Sequence, residues 1–279
     1  MNKKFLNICK SIELLRVNNL FLLAFNLFFS YYFFVSKIFD STIFLIISSI
    51  LFITAGGYII NDYFDIEIDK INKPSKKTIG HFITKKEVLF LYFLMNLIGL
   101  SIIIKVSILL FFIFSGVIFL LWLYSYRLKK EALIGNIIVA ILASIPLIII
   151  HLYYFSASNY LIVYAFFAFG ITLIREIVKD IEDIEGDQSE NCKTLPIRIG
   201  VPKTIRILNS ISIVYFISIF YLFNQILKID YLLIALFSIA FLVFLVVLNG
   251  AKRGPNYHLI SNILKLIMLL GILTIPFVN

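Results

Sequence analysis

Two acidic stretches carry the residues best suited to chemistry. In "NDYFDIEIDK", Asn61, Asp65 and Asp69 are spaced i, i+4, i+8, with Asp62 and Glu67 beside them. On a helix that spacing puts the three on one stripe. In "REIVKDIEDIEGDQ", Glu176, Asp180, Asp183 and Asp187 are spaced i, i+4, i+7, i+11, again one stripe. Ile177, Ile181 and Ile184 keep another face apolar, so this helix is expected to pack against neighbours. Like charges at i, i+4 repel, so the pattern calls for a cation. Every donor is a hard oxygen with no His or Cys beside it, which selects Mg2+ or Mn2+ over zinc. Mg2+ is commonly held by one or two carboxylates plus substrate phosphates. Two facing stripes could therefore hold metals on either side of a diphosphate.

Bases complete the pattern. Lys73, Lys76 and Lys77 lie just past the first stripe; Arg175 and Lys179 lie within the helix that carries the second, and Lys193 lies just past it. They could neutralise the remaining phosphate charge. One such cluster could equally be a solvated loop with surface salt bridges. Two clusters at equivalent places in the topology argue for a site.

The elements that must position these residues are membrane helices. Of the 279 residues 61% are hydrophobic and 15% charged, and mean hydropathy is +1.00. Soluble domains run about 45–50% apolar and about 25% charged. The composition describes a polytopic, all-α integral membrane protein, read as one domain over residues 1–279. A helix needs about 20 apolar residues to cross a bilayer. Cutting at charges and turn residues gives nine spans, at about 17–36, 42–61, 86–104, 107–125, 133–153, 160–178, 204–226, 230–249 and 257–277. The third and fourth are separated only by Lys105.

With a cytoplasmic N-terminus, 21 lysines and arginines fall inside, three (Lys37, Lys105, Lys228) fall outside, and Lys265 lies within the last span. That asymmetry supports the orientation and places both acidic loops on the cytoplasmic side of a cell membrane. It also accounts for the net charge of +9, so no nucleic-acid partner is expected. Cys9 and Cys192 form no CxxC pattern, and neither a disulfide nor a thiolate metal site is expected. The first sixteen residues lack a small-residue cleavage site, and the N-terminus is read as retained. The acidic stretches follow spans two and six, a four-span offset that hints at an internal repeat.

The motifs are similar to those of a known family. "NDYFDIEID" resembles the NDxxDxxxD motif of the UbiA superfamily of intramembrane prenyltransferases, and "DIEDIEGD" resembles its second motif, DxxDxxxD with Gly before the last Asp. The resemblance covers the whole chain. It implies a nine-helix bundle that uses Mg2+, two or more ions bridging the substrate diphosphate. The implied metal ligands are Asn61, Asp62, Asp65, Asp69, Asp180, Asp183 and Asp187, with Asp65, Asp69, Asp183 and Asp187 as the catalytic carboxylates. An isoprenyl diphosphate would donate its prenyl group to a lipid-soluble acceptor within the membrane lipids.

"REIVKDIEDIEGD" followed by "KTLPIRIG" resembles the digeranylgeranylglyceryl phosphate synthase branch, as does "NDYFDIEIDKINKP". In that branch geranylgeranyl diphosphate alkylates the free hydroxyl of geranylgeranylglyceryl phosphate in ether-lipid synthesis. The branch commonly continues with Arg-Pro and a second Pro, whereas this chain reads "SKKTIGHF". Charge survives there, but rigidity and bidentate Arg contacts do not.

Several polar residues lie near the same membrane face. Arg16 and Asn19 stand where the first span begins, as phosphate contacts or as interfacial anchors. Tyr124, Tyr126 and Lys129 in "LYSYRLKK" are an interfacial belt or substrate contacts. Asn136 is expected to bond a neighbouring helix, and Lys265 to face protein or snorkel. Gly56 and Gly57 are expected to allow close helix packing. Other classes fit less well. An aromatic acceptor, such as a quinone precursor, would not require extra bases near the mouth. A cation-coupled transporter would carry its acids near the bilayer midplane on broken helices. A CDP-alcohol phosphotransferase would carry an Asp-Gly…Ala-Arg signature, which is missing.

Overall fold

A computed structural model of the chain describes residues 13–72, 79–80, 82–155, 159–228, 230–251 and 254–278. Twelve α-helices run through them. In chain order they are α1 (Val17–Phe34), α2 (Ser41–Phe64), α3 (Ile66–Asn72), α4 (Lys85–Ile103), α5 (Ile108–Tyr126), α6 (Ile134–Tyr154), α7 (Tyr160–Glu182), α8 (Ile184–Ser189), α9 (Leu195–Ile199), α10 (Val201–Gln225), α11 (Tyr231–Gly250) and α12 (Gly254–Leu273). Among the described residues nine helices are long and apolar enough to cross a membrane, each within a few residues of its expected span.

Local chemistry sets the helix starts. Asp40 caps α2 by accepting from the Ile43 N–H at 2.7 Å. Thr84 and Glu87 form a reciprocal capping box at the start of α4. The cut at Lys105 is real: α4 ends at Ile103, and Ser107 caps α5 through the Leu110 N–H.

Contacts group the described chain into two compact units. One holds residues 13–28 and 37–129, and the other residues 29–36 and 130–278. In the first unit α2 packs chiefly on α4 and also on α5. Gly56 and Gly57 allow this, because a methyl group at Gly56 would lie 2.9 Å from the Asn96 amide and one at Gly57 3.0 Å from Leu121. Ser49 Oγ donates to the Gly99 carbonyl at 2.8 Å and ties α2 to α4. In the second unit α7 packs on α6, α12 and α10. Tyr215 lies against Gly170 of α7 and donates to the Phe167 carbonyl at 2.7 Å.

The two motif-bearing helices are the most buried of the nine. In the most apolar stretch of α2 61% of residues are buried and in α7 67%, against 17 to 39% in the others. Each motif therefore hangs from the best-packed helix of its unit.

Candidate active site

Both motifs share a local backbone feature. The spacing of the first motif is that of one continuous helix. Instead α2 ends at Phe64 and α3 begins at Ile66, with Asp65 between them at φ −90°, ψ 4°. Likewise α7 ends at Glu182 and α8 begins at Ile184, with Asp183 between them at φ −94°, ψ 10°. These angles lie in the sparsely populated bridge region, where many active-site residues sit. The i to i−4 bonds continue through each break: Asp65 N–H to Asn61 at 2.9 Å, Asp69 to Asp65 at 2.7 Å, Asp183 to Lys179 at 2.8 Å and Asp187 to Asp183 at 3.1 Å. The helical register of both stripes survives, with the axis interrupted at the middle carboxylate. Asp side chains compete with backbone bonding in helix interiors, which makes Asp a natural residue for such a break.

In the first unit each carboxylate has a distinct environment. Asp62 is 3% exposed and accepts from Arg16 Nη2 at 2.7 Å. The Arg16 guanidinium also lies 4.9 Å above the Tyr58 ring. Burial opposes the charge on Arg16, but Asp62 outweighs it and holds its pKa above the ordinary arginine value. Arg16 has φ 51°, a strained conformation for a residue with a side chain. Asp65 accepts from Asn61 Nδ2 at 2.7 Å through Oδ2 and from Lys129 Nζ through Oδ1. Asp69 is buried, while Glu67 is exposed and pairs with Lys70 at 2.7 Å. Asn19 is exposed, and its backbone N–H bonds the Arg16 carbonyl at 2.8 Å. Tyr124 is half-buried; Tyr126 is exposed and stacks on Trp122.

In the second unit Asp180 accepts from Asn136 Nδ2 at 2.9 Å. Glu176 takes both Arg175, at 2.9 Å, and Lys179, at 3.2 Å. Lys193 is tied through its backbone N–H to the Lys130 carbonyl at 2.7 Å and its side chain is exposed. Lys73, Lys76 and Lys77 lie outside the described residues, as do Cys9 and His81.

Several bases read as phosphate contacts thus serve the acids themselves: Arg16 serves Asp62, Lys129 serves Asp65, and Arg175 and Lys179 serve Glu176. Asn136, expected to bond a neighbouring helix, does so at the second motif itself, through Asp180. Its signal lies in the repeat. Asp62, Asp65 and Asp69 have the same spacing as Asp180, Asp183 and Asp187. Asp62 and Asp180 each take a donor from the start of the helix preceding their own.

Among the described residues no three His, Cys, Asp or Glu side chains gather into a metal-sized cluster. The donor set nevertheless suits Mg2+. It consists of carboxylates and one amide, all hard oxygen ligands, and three of its carboxylates already attract a cation or an amide N–H.

Comparison with known proteins agrees with the motifs. The model of the UbiA prenyltransferase family matches residues 20–259. The chain is 35% identical over 244 residues to digeranylgeranylglyceryl phosphate synthase of Sulfurisphaera tokodaii, covering 85% of this chain and 86% of that one. A solved structure from work on digeranylgeranylglyceryl phosphate synthase in membranes is similar at 26% identity and TM-score 0.72, covering 96% of this chain and 97% of that one. A UbiA homologue from Archaeoglobus fulgidus bound to GPP and Mg2+ shares the fold, at 17% identity and TM-score 0.65, over 96% and 99% of the two chains. Nine apolar helices, paired DxxDxxxD motifs and a family match across most of its length lead to one conclusion: the chain belongs to the UbiA prenyltransferase family and is a multi-pass intramembrane prenyltransferase.

Proposed function

We propose that the enzyme transfers a geranylgeranyl group from geranylgeranyl diphosphate to the free hydroxyl of geranylgeranylglyceryl phosphate, as a step in ether-lipid synthesis. The N-terminus and both motif loops face the cytoplasm in this reading, as the distribution of lysine and arginine favours. The observation that carries the acceptor is 35% identity over 86% of the length of a digeranylgeranylglyceryl phosphate synthase. The A. fulgidus homologue bound to GPP and Mg2+ supports an isoprenyl diphosphate donor and a divalent metal.

Asp65, Asp69, Asp183 and Asp187 would hold the metal, aided by Asn61, Asp62 and Asp180. Mg2+, when bound, offsets charge on the diphosphate. Lys129 serves both Asp65 and the leaving group, and Tyr124, Lys193 and the lysines at 73, 76 and 77 are read as further diphosphate donors. The C1–O bond of the allylic diphosphate breaks and its electron pair leaves on the diphosphate. The glycerol hydroxyl oxygen gives a pair to C1 and forms the ether, and its proton passes to the departing diphosphate. The apolar helices keep water from the cationic carbon.

The test supplies geranylgeranyl diphosphate and Mg2+ to the enzyme in proteoliposomes with one acceptor at a time. Ether product with geranylgeranylglyceryl phosphate and none with 4-hydroxybenzoate or a naphthoate is the expected result. Prenylation of the aromatic acceptor instead overturns this assignment.

A further inference from the structure

Helices α7 and α12 of the second unit carry a group of cations that the paired motifs do not account for. Three contacts set the antiparallel register of these helices. His258 Nδ1 meets Glu182 at 3.0 Å, the Tyr164 hydroxyl meets Thr274 Oγ1 at 2.7 Å, and a methyl group at Gly271 would lie 2.2 Å from the Phe167 ring. Lys265 lies seven residues in from His258, and Arg175 seven residues back from Glu182. At about 1.5 Å per residue, both stand about 10 Å from the His258–Glu182 contact, at one level and facing each other across the helix pair. Lys265 is within electrostatic reach of Arg175, Lys179 and Glu182. Its Nζ leans back toward the motif-bearing end, 3.5 Å from Asn262 Oδ1.

The two glutamates nearest these cations are already engaged. Glu176 takes both Arg175 and Lys179, and Glu182 takes His258. Arg175 Nε is buried with no hydrogen-bond partner among the described residues. Arg175 also stands about 140° around α7 from Asp180, at about 100° per residue, so it belongs to a different face from the acid stripe. A lysine inside an apolar helix, opposite a guanidinium with an unfilled buried N–H, is costly in a membrane unless an anion answers it.

The geometry points to a second anion site, formed by Arg175, Lys179 and Lys265, that takes the phosphate monoester of a lipid entering from the membrane. The inference rests on the proposed reaction, whose acceptor carries such a phosphate on a glycerol. The site holds that phosphate apart from the diphosphate-binding motifs and so selects a phosphorylated glycerolipid over its dephosphorylated counterpart. Arg175 and Lys179, read from the sequence as diphosphate ligands, act in this selection.

Two measurements test it, each comparing the wild type with Lys265→Met and Lys265→Arg. The first is turnover in proteoliposomes. Lys265→Met is expected to raise KM for geranylgeranylglyceryl phosphate about tenfold or more, the effect of losing one charge-assisted contact, with KM for geranylgeranyl diphosphate changed less than about twofold. Lys265→Arg is expected to restore most of the acceptor affinity. The second is binding of lysophosphatidic acid in nanodiscs, with monoacylglycerol and phosphatidylglycerol as controls. The wild type is expected to prefer the monoester, and Lys265→Met to lose that preference. Equal binding of phosphatidylglycerol would assign the site to bulk lipid headgroups and overturn its role in selecting the acceptor. An unchanged acceptor KM, or an equal rise for both substrates, also overturns it. A wild type that binds the monoester but does not prenylate geranylgeranylglyceryl phosphate overturns the proposed reaction and leaves the anion site standing.

Discussion

Asn136, in the first turn of α6, donates its side-chain amide to Asp180 Oδ2 at 2.9 Å. Arg16, just before α1, makes the matching contact to Asp62 at 2.7 Å. Each first carboxylate of a DxxDxxxD motif is thus held from the start of the preceding span. Replacing Asn136 by Leu removes a hydrogen bond to a charged group, worth about 1.5–3 kcal/mol. We expect Asn136→Leu to lower diphosphate release in proteoliposomes about tenfold, and Asn136→Asp, which sets like charges together, to lower it further. Turnover of both variants within twofold of the wild type would show that Asp180 does not depend on this contact.

Arg16 combines an ion pair to a buried carboxylate with a strained backbone at φ 51°. Arg16→Ala leaves Asp62 buried without its guanidinium and is expected to cost about 3 kcal/mol. Arg16→Gly loses the same pair but relieves the backbone, and should be about 1 kcal/mol more stable than the alanine variant. Thermal unfolding in detergent ranks the two. An alanine variant at least as stable as the glycine one would mean that the conformation carries no strain.

Asp65 and Asp183 sit at the two backbone breaks. Alanine at either position is expected to reduce Mg2+-dependent diphosphate release by about 100-fold or more, while circular dichroism retains the helical signal. Removing divalent ions with EDTA should silence the wild type, with activity returning on addition of Mg2+ or Mn2+. Normal turnover by either variant would contradict a metal-bound diphosphate at these residues.

Close packing at glycine makes a structural prediction. A methyl group on Gly170 would lie 2.0 Å from the Tyr215 ring, which is pinned by its bond to Phe167; one on Gly56 would lie 2.9 Å from the more adaptable Asn96 amide. Gly170→Ala should therefore destabilise by about 3 kcal/mol and Gly56→Ala by about 1 kcal/mol. The order of the two unfolding temperatures is the check, and a reversed order would count against this packing.

Much of the protein was readable in one dimension. Hydrophobic run length, cut at charges and turn residues, located the spans, because bilayer thickness acts on a few consecutive residues. The stripes of Asn61, Asp65 and Asp69 and of Glu176, Asp180, Asp183 and Asp187 located the motifs for the same reason. The interruptions at Asp65 and Asp183 were not legible, since the i to i−4 ladder that periodicity reports runs on through both.

Which base serves which acid depended on packing. Arg16 reaches Asp62 across 46 residues, Lys129 reaches Asp65 across 64, and Asn136 reaches Asp180 across 44. No local pattern encodes such separations. They follow from which helix ends come together, and so from close approaches such as those at Gly56 and Gly170. The face of α7 that Arg175 and Lys179 share with Lys265 is of the same kind. The sequence by itself determined the membrane spans and the two acidic motifs, because both are local in the chain. Only the tertiary structure decided how each charge is answered, because a charge is neutralised by what lies near it in space.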